Sequence, residues 1–245
     1  MTIVIALSCS NGVVMASDSQ ASEMTSSVRF PVPKVFPLTA HAVWGGSGDA
    51  ETISYLTRAF EAQRDQIEQS PDVAQALVNA MKPVLSQRYA NVIQAPGWNV
   101  PQPATMALAC GYQPGTGSWI VEVDPCCVSS HYEAQGFHAI GSAAGFATLG
   151  NALLAHFRPA EKSLEHGRLI AYRVIHAAIE TSMFGVGGSI QMWYVNADGV
   201  RQVDDNELAV LRDSVGAWQE QEEQLLDELL GAKVPDPAPL PPPSY

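Results

Sequence analysis

The sequence predicts an α+β fold, a four-layer α/β/β/α sandwich in which two antiparallel sheets pack face to face and a helix pair covers each outer side. Three observations carry this. Apolar runs of strand length open the chain and recur after residue 104 and again after residue 189. Between them lie two stretches whose apolar residues fall at helical spacing, each long enough for two helices. The resulting order is strands, two helices, strands, two helices, strands.

Thr2-Ile3-Val4-Ile5-Ala6-Leu7-Ser8 reads as the first strand. Asn11-Gly12 lies between two apolar runs, which favours a type I′ hairpin with positive φ at both central positions, and the chain returns through Val13 to Asp18. Residues 19–29 are polar and serine-rich and read as a loop reaching over the strand ends. Pro31 and Pro33 hold the approach to Lys34 extended, and residues 34–37 and 40–44 give two short strands. The run Gly45-Gly46-Ser47-Gly48-Asp49 then leads into a helical pattern with Ile53, Leu56, Phe60 and Ile67 on one face. Ser70-Pro71 starts a second helix, an N-cap followed by proline at the first helical position, with an interruption or kink expected at Pro83. Residues 91–103 hold three prolines and a glycine and read as a loop between layers.

Strands follow at 104–113, 118–124 and 127–132, the first two separated by Pro114-Gly115-Thr116-Gly117. A short strand at 137–140 feeds Gly141-Ser142, and helices are expected near 146–157 and 161–183, the second with Ile170, Val174, Ala178 and Ile179 inward. Strands at 189–195 and 200–203 close the domain, which spans 2–204. Residues 205–231 form an acidic helix whose stripe of Leu208, Leu211, Val215, Trp218, Leu225 and Leu229 packs on the body or on a neighbouring subunit. Residues 232–245 are proline-rich and read as an extended tail.

A chain of 245 residues, 47% hydrophobic, buries an ample core. Its formal charge of −12 argues against nucleic acid and anionic membrane as partners. The opening apolar run has no basic leader and breaks at Ser10-Asn11-Gly12, so it does not read as a signal peptide, and no other run approaches the ~20 apolar residues that span a bilayer. Cys9, Cys110, Cys126 and Cys127 lack metal-ligand spacing and read as reduced, buried thiols of a cytoplasmic protein. The six histidines fall in no ligand pattern.

The chemistry concentrates in residues 2–34, where a hydroxyl, a carboxylate and an amine recur about sixteen residues apart as Thr2, Asp18 and Lys34. Only four lysines occur in the chain, and one of them sits inside an apolar run. Removal of Met1 would leave Thr2 with a free α-amine, whose reference pKa of about 7.7–8.0 suits it as a base for the adjoining hydroxyl. That pattern suggests N-terminal threonine catalysis. A glycine-rich turn at a helix start also offers backbone N–H groups for an oxyanion.

Thr2-Ile3-Val4, Gly12-Val13-Val14-Met15-Ala16-Ser17-Asp18-Ser19, Pro33-Lys34-Val35-Phe36, Gly48-Asp49-Ala50 and Gly141-Ser142 resemble, in order and spacing, the proteasome β-subunits and their bacterial relatives among the N-terminal nucleophile hydrolases. The resemblance implies the same sandwich and a threonine-type peptidase that cleaves peptide or unfolded protein substrates through an acyl-enzyme. It implies Thr2 as nucleophile, Gly45 N–H as oxyanion donor, Asp18, Lys34 and Ser142 as positioning and tuning groups, and no metal or organic cofactor. Glu180 and Ser182 stand nearest to the family's aspartate and serine after the fourth helix. Ala21, Val32, Val43 and Ser47 match its first specificity pocket, whose small uncharged side chains suit apolar residues, although Glu51 is placed to favour a basic one. A homo-oligomeric ring or helical stack is implied, and an unfoldase ATPase partner is left open. Two departures, Gln20 in place of a basic residue and no aspartate after the fourth helix, keep a catalytically silent assembly subunit open as an alternative. A small-amide amidase of the same superfamily is the other.

Overall fold

A computed structural model describes residues 2–22, 29–94, 104–181 and 185–231. Along them run β1 (Val4–Cys9), β2 (Gly12–Asp18), β3 (Gln20–Ser22), β4 (Arg29–Pro31), β5 (Val35–Thr39) and β6 (Ala42–Ser47), then helices α1 (Ala50–Ala62), α2 (Arg64–Glu68) and α3 (Val73–Gln94). They are followed by β7 (Met106–Gln113), β8 (Gly117–Val123), β9 (Ser129–His131) and β10 (Phe137–Ile140), α4 (Ala144–Leu154) with two short 3-10 turns, α5 (Leu164–Glu180), β11 (Ile190–Asn196), β12 (Gly199–Gln202) and α6 (Asp205–Gly231).

The strands form the two expected antiparallel sheets, ordered β10-β1-β2-β11-β12 and β5-β6-β7-β8-β9. Alternation along each strand sorts the side chains into layers. Val4, Ala6, Val13 and Met15 meet Val35, Val43, Leu108 and Ile120 between the sheets. Ile3, Ile5, Leu7 and Val14 point the other way, against α4, α5 and α6, while Trp44, Ala107 and Val121 face α1, α2 and α3. β1 and β2 are buried along their whole length, so their near-continuous apolar sequence reflects covering on both faces. The fold is the four-layer α/β/β/α sandwich.

Four expectations change. The β1–β2 turn is centred on Ser10-Asn11, since Cys9 pairs with Gly12, and neither central residue has positive φ. Docking sets this turn: Ser10 N and Oγ both donate to Lys162 O at 2.8 and 2.9 Å, and Asn11 Oδ1 accepts from Leu164 N at the start of α5. Gly12 is needed for close approach instead, because a Cβ there would lie 2.3 Å from Val195 O. Second, the stretch expected as a loop is partly a ribbon, with β3 paired to β4; residues 23–28 lie outside the described residues.

Third, α3 runs through Pro83 without interruption and on to Gln94. Leu77, Ala80, Met81 and Leu85 are buried on both sides of the proline, so packing holds a helix that local preference would break. The rest of the loop expected at 91–103, and the proline-rich tail at 232–245, lie outside the described residues. Fourth, Cys9 and Cys110 are buried but Cys126 is exposed and Cys127 partly so; all four are free thiols. Burial pushes the Cys9 thiol up to about 12 and raises Cys110 as well, which keeps both protonated and unreactive. Among the described residues no helix is long and apolar enough to cross a membrane.

Candidate active site

The antiparallel pairing of β1 with β2 places residue 18 beside residue 3, so Asp18 comes up under the backbone of Thr2 and Ile3. Its carboxylate is fully buried and takes four donors among the described residues. Oδ1 accepts from Lys34 Nζ at 2.7 Å and from Ile3 N at 3.1 Å, and Oδ2 from Gly187 N at 3.2 Å and Gln20 N at 3.3 Å. Lys34 enters from the other sheet, immediately before β5, and is 4% exposed. Its backbone is clamped: Lys34 N donates to Gln191 Oε1 at 2.8 Å and Gln191 Nε2 donates to Val32 O at 2.9 Å.

Burial outweighs the attraction of Asp18 and lowers the Lys34 pKa from the ordinary lysine value. The folded pKa therefore lies below the unfolded one, and the unfolded chain binds this proton more tightly. The handicap is full below the folded pKa and fades as pH rises through it towards the ordinary lysine range. A titration of the Lys34 Nζ resonance should show it losing its proton below the ordinary lysine value of about 10.4; a midpoint at or above that value would contradict the burial argument.

Thr2 itself is held by the segment after β10. Thr2 N donates to Ser142 Oγ at 3.2 Å, and Thr2 O accepts from Ala143 N and from Ser142 Oγ, both at 3.4 Å. Gly141 has φ +102°, and a Cβ on it would stand 2.2 Å from Thr2 O, so only glycine lets this turn close on the threonine. Thr2, Asp18, Lys34 and Ser142 thus form one connected cluster at one end of the sheets.

Gly45 sits in β6, not in a helix N-terminus. α1 starts at Ala50, capped by Asp49, which accepts from Thr52 N at 2.9 Å, so the helix-end argument for an oxyanion site does not reach Gly45. What fixes glycine there is packing: a Cβ would come within 2.6 Å of Val4 Cγ1 and 3.2 Å of Lys34 O. Gly45 pairs with Val35, the residue after Lys34, which puts its backbone beside the cluster. Ser47 lies next to Gly141.

Ala21 on β3 and Val32 just after β4 are partly buried, whereas Val43 is fully enclosed between the sheets. Glu51 is not left to act on a ligand alone, since Arg88 reaches it at 2.8 Å and Asp49 at 3.4 Å. Glu180 stays in the last turn of α5, 55% exposed at its side chain and 3.3 Å from His176, and joins no described contact of the cluster. Ser182 lies outside the described residues.

The residues that do reach Asp18 from beyond α5 are in the glycine run. Gly187 supplies an N–H, and Gln20 Nε2 ties down Gly185 O at 2.8 Å. Gln191 was equally absent from the sequence reading. Its only trace there is its place in strand alternation, facing inward next to buried Met192.

With the geometry in view, the comparisons with known proteins become informative. The "Proteasome subunit" family matches residues 2–195, most of the chain. The chain belongs to that family. Among curated relatives it is similar to a proteasome subunit beta of Stackebrandtia nassauensis, 27% identical over 88% of this chain and 78% of that protein. It is also similar to a proteasome subunit beta of Methanococcus maripaludis, 26% identical over 84% of this chain and 89% of that protein. The family match ends at residue 195, before α6.

Proposed function

We propose that the protein is a threonine peptidase that hydrolyses peptide bonds through an ester on Thr2. The observation that carries this reading is the fully buried Asp18 carboxylate, joined at once to Lys34 Nζ and to Ile3 N, the peptide next to Thr2. A buried ion pair is costly and is weak evidence for stability, so its place beneath the N-terminal strand supports a chemical role.

In this reading, removal of Met1 frees the α-amine of Thr2. The amine takes the hydroxyl proton as Oγ1 attacks the carbonyl carbon, and Gly45 N–H holds the developing oxyanion. The C–N bond then breaks, the proton passes to the departing amine, and an acyl ester remains on Thr2. Water adds to the ester with the α-amine as base, releasing the acid and restoring the hydroxyl. Ser142 Oγ, placed on Thr2 N, orients the amine; Asp18 and Lys34 fix the strand and set the local charge.

A catalytically silent assembly subunit is the second reading. Gln20 occupies the place of the family's basic residue, and Glu180 is turned to His176. A panel of fluorogenic peptides varying only the residue before the cut separates the two. Ala21, Val32 and Ser47 are small and uncharged, and Glu51 is held by the Arg88 guanidinium that it shares with Asp49, so cleavage after Leu or Tyr should exceed cleavage after Glu, Asp or Lys. Each added methylene should discriminate by only ~1–3 kcal/mol, which gives broad preference. Faster cleavage after an acidic residue would refute the pocket, and no cleavage of any peptide would favour the silent subunit.

A further inference from the structure

Among the described residues the core between the two sheets is built from apolar side chains such as Val4, Ala6, Leu108, Ile120 and Ile140. At one edge of it stands a polar cluster that the threonine chemistry does not use. Glu122 shares a face of β8 with Ile120, and His138 shares a face of β10 with Ile140, so both point between the sheets, their side chains 15% and 19% exposed. His138 Nε2 meets Glu122 Oε2, and Tyr132 OH donates to the same oxygen at 3.4 Å. The Tyr132 and His138 rings stack with centroids 3.5 Å apart and planes 12° from parallel.

An ionised carboxylate only accepts, so Nε2 carries the histidine proton and Glu122 receives two donors on one oxygen. Burial, and after it the Glu122 charge, raises the Tyr132 phenol above its ordinary value, which keeps it a donor. The cluster closes the crossover between the sheets. β9 ends at His131, the chain turns so that Gly136 N donates to Tyr132 O, and β10 begins at Phe137 as the edge strand of the other sheet. Only four residues long, β10 pairs with β1 alone among the described strands. Directly after it, Gly141 closes on Thr2 O and Ser142 Oγ accepts from Thr2 N.

We infer that Glu122, His138 and Tyr132 are positioning residues for the Thr2 amine: by tying β10 to β8 across the two sheets, they fix the Gly141-Ser142 turn and hold Ser142 Oγ on Thr2 N. The catalytic consequence rests on the threonine reading, whereas the tie and its effect on the turn do not. On β8, Glu122 pairs with Leu108, which pairs on its other side with Gly45. The tie therefore references the seat of the amine to the strand row that holds the proposed oxyanion donor. Ala21, Val32 and Ser47 lie on β3, just after β4 and on β6, so the cluster bears on turnover rather than on substrate binding.

Three variants test this by amide hydrogen exchange and peptide turnover of the full chain. His138→Phe keeps a ring on Tyr132 and loses the N–H, Glu122→Leu loses the acceptor, and Glu122→Gln keeps one. In the first two, the Ala143 amide, which donates to Thr2 O, should exchange at least about tenfold faster, while amides of the β6–β7 pairing keep their protection. Their kcat should fall at least about tenfold with KM within about twofold, and Glu122→Gln should bring both readouts to within about threefold of the parent. Circular dichroism shows which variants are folded, and either tie-breaking variant decides. Parental exchange at Ala143 in a folded tie-breaking variant overturns the inference, as does a parental kcat alongside faster exchange. So do faster exchange throughout the chain, a glutamine variant no better than the leucine one, and loss of the fold in both tie-breaking variants. If the parent chain hydrolyses no peptide, the threonine reading fails alone, and exchange at Ala143 still decides the positioning.

Discussion

Thr2→Ala should abolish peptide hydrolysis, lowering turnover by at least about 10⁴-fold, while leaving the fold in place. The fold should survive because the contacts that seat residue 2 are made by its backbone: its N–H on Ser142 and its carbonyl under Ala143 and Ser142. Alanine keeps all of them, so the stability change should stay within about 1 kcal/mol. Thr2→Ser keeps the hydroxyl and should retain measurable turnover. Hydrolysis by Thr2→Ala at the parental rate, in a preparation free of other proteases, would remove the nucleophile from the account.

The larger effect on stability belongs to Lys34. Lys34→Ala strands the fully buried Asp18 carboxylate, and losing one partner of such a pair costs about 3–5 kcal/mol. The variant should be inactive as well as less stable, because Asp18 also fixes Ile3 N next to Thr2. Lys34→Arg should be inactive too: a planar guanidinium cannot replace a compact ammonium at a site only 4% exposed. Denaturant titration measures the first effect and peptide turnover the second. An arginine variant with normal turnover would reduce Lys34 to a structural part.

The sandwich was legible because strand and helix periods differ sharply and this chain keeps them apart. β1, β2, β7 and β8 read as strands, and the helices fell within a few residues of their positions. Failures came where distant contacts decide local shape. Asn11-Gly12 carries a strong hairpin signal, yet Lys162 and Leu164, about 150 residues away, shift the turn by one position. Pro83 stays helical because buried neighbours hold it.

In the candidate site, Thr2, Asp18 and Lys34 could be named from the chemistry of their side chains, and Ser142 from the family resemblance of Gly141-Ser142. Gly187 could not, because it acts through a backbone N–H that any residue type possesses, and Gln191 could not, because its amide clamps main chain from another strand. The α6 stripe was visible as a stripe. Only the exposure of Leu225 and Leu229 shows that its second half is unpacked within one copy.

The central claim is that Thr2 acts with its own free amine, and intact-mass spectrometry before and after treatment with a peptide epoxyketone tests it most directly. That reagent requires both the hydroxyl and the amine of a terminal threonine. The account predicts a chain lacking Met1 that gains one inhibitor per subunit, with the adduct mapped to Thr2 and absent from Thr2→Ala. A purified chain that retains Met1, or one that lacks it and gains no adduct, would contradict it.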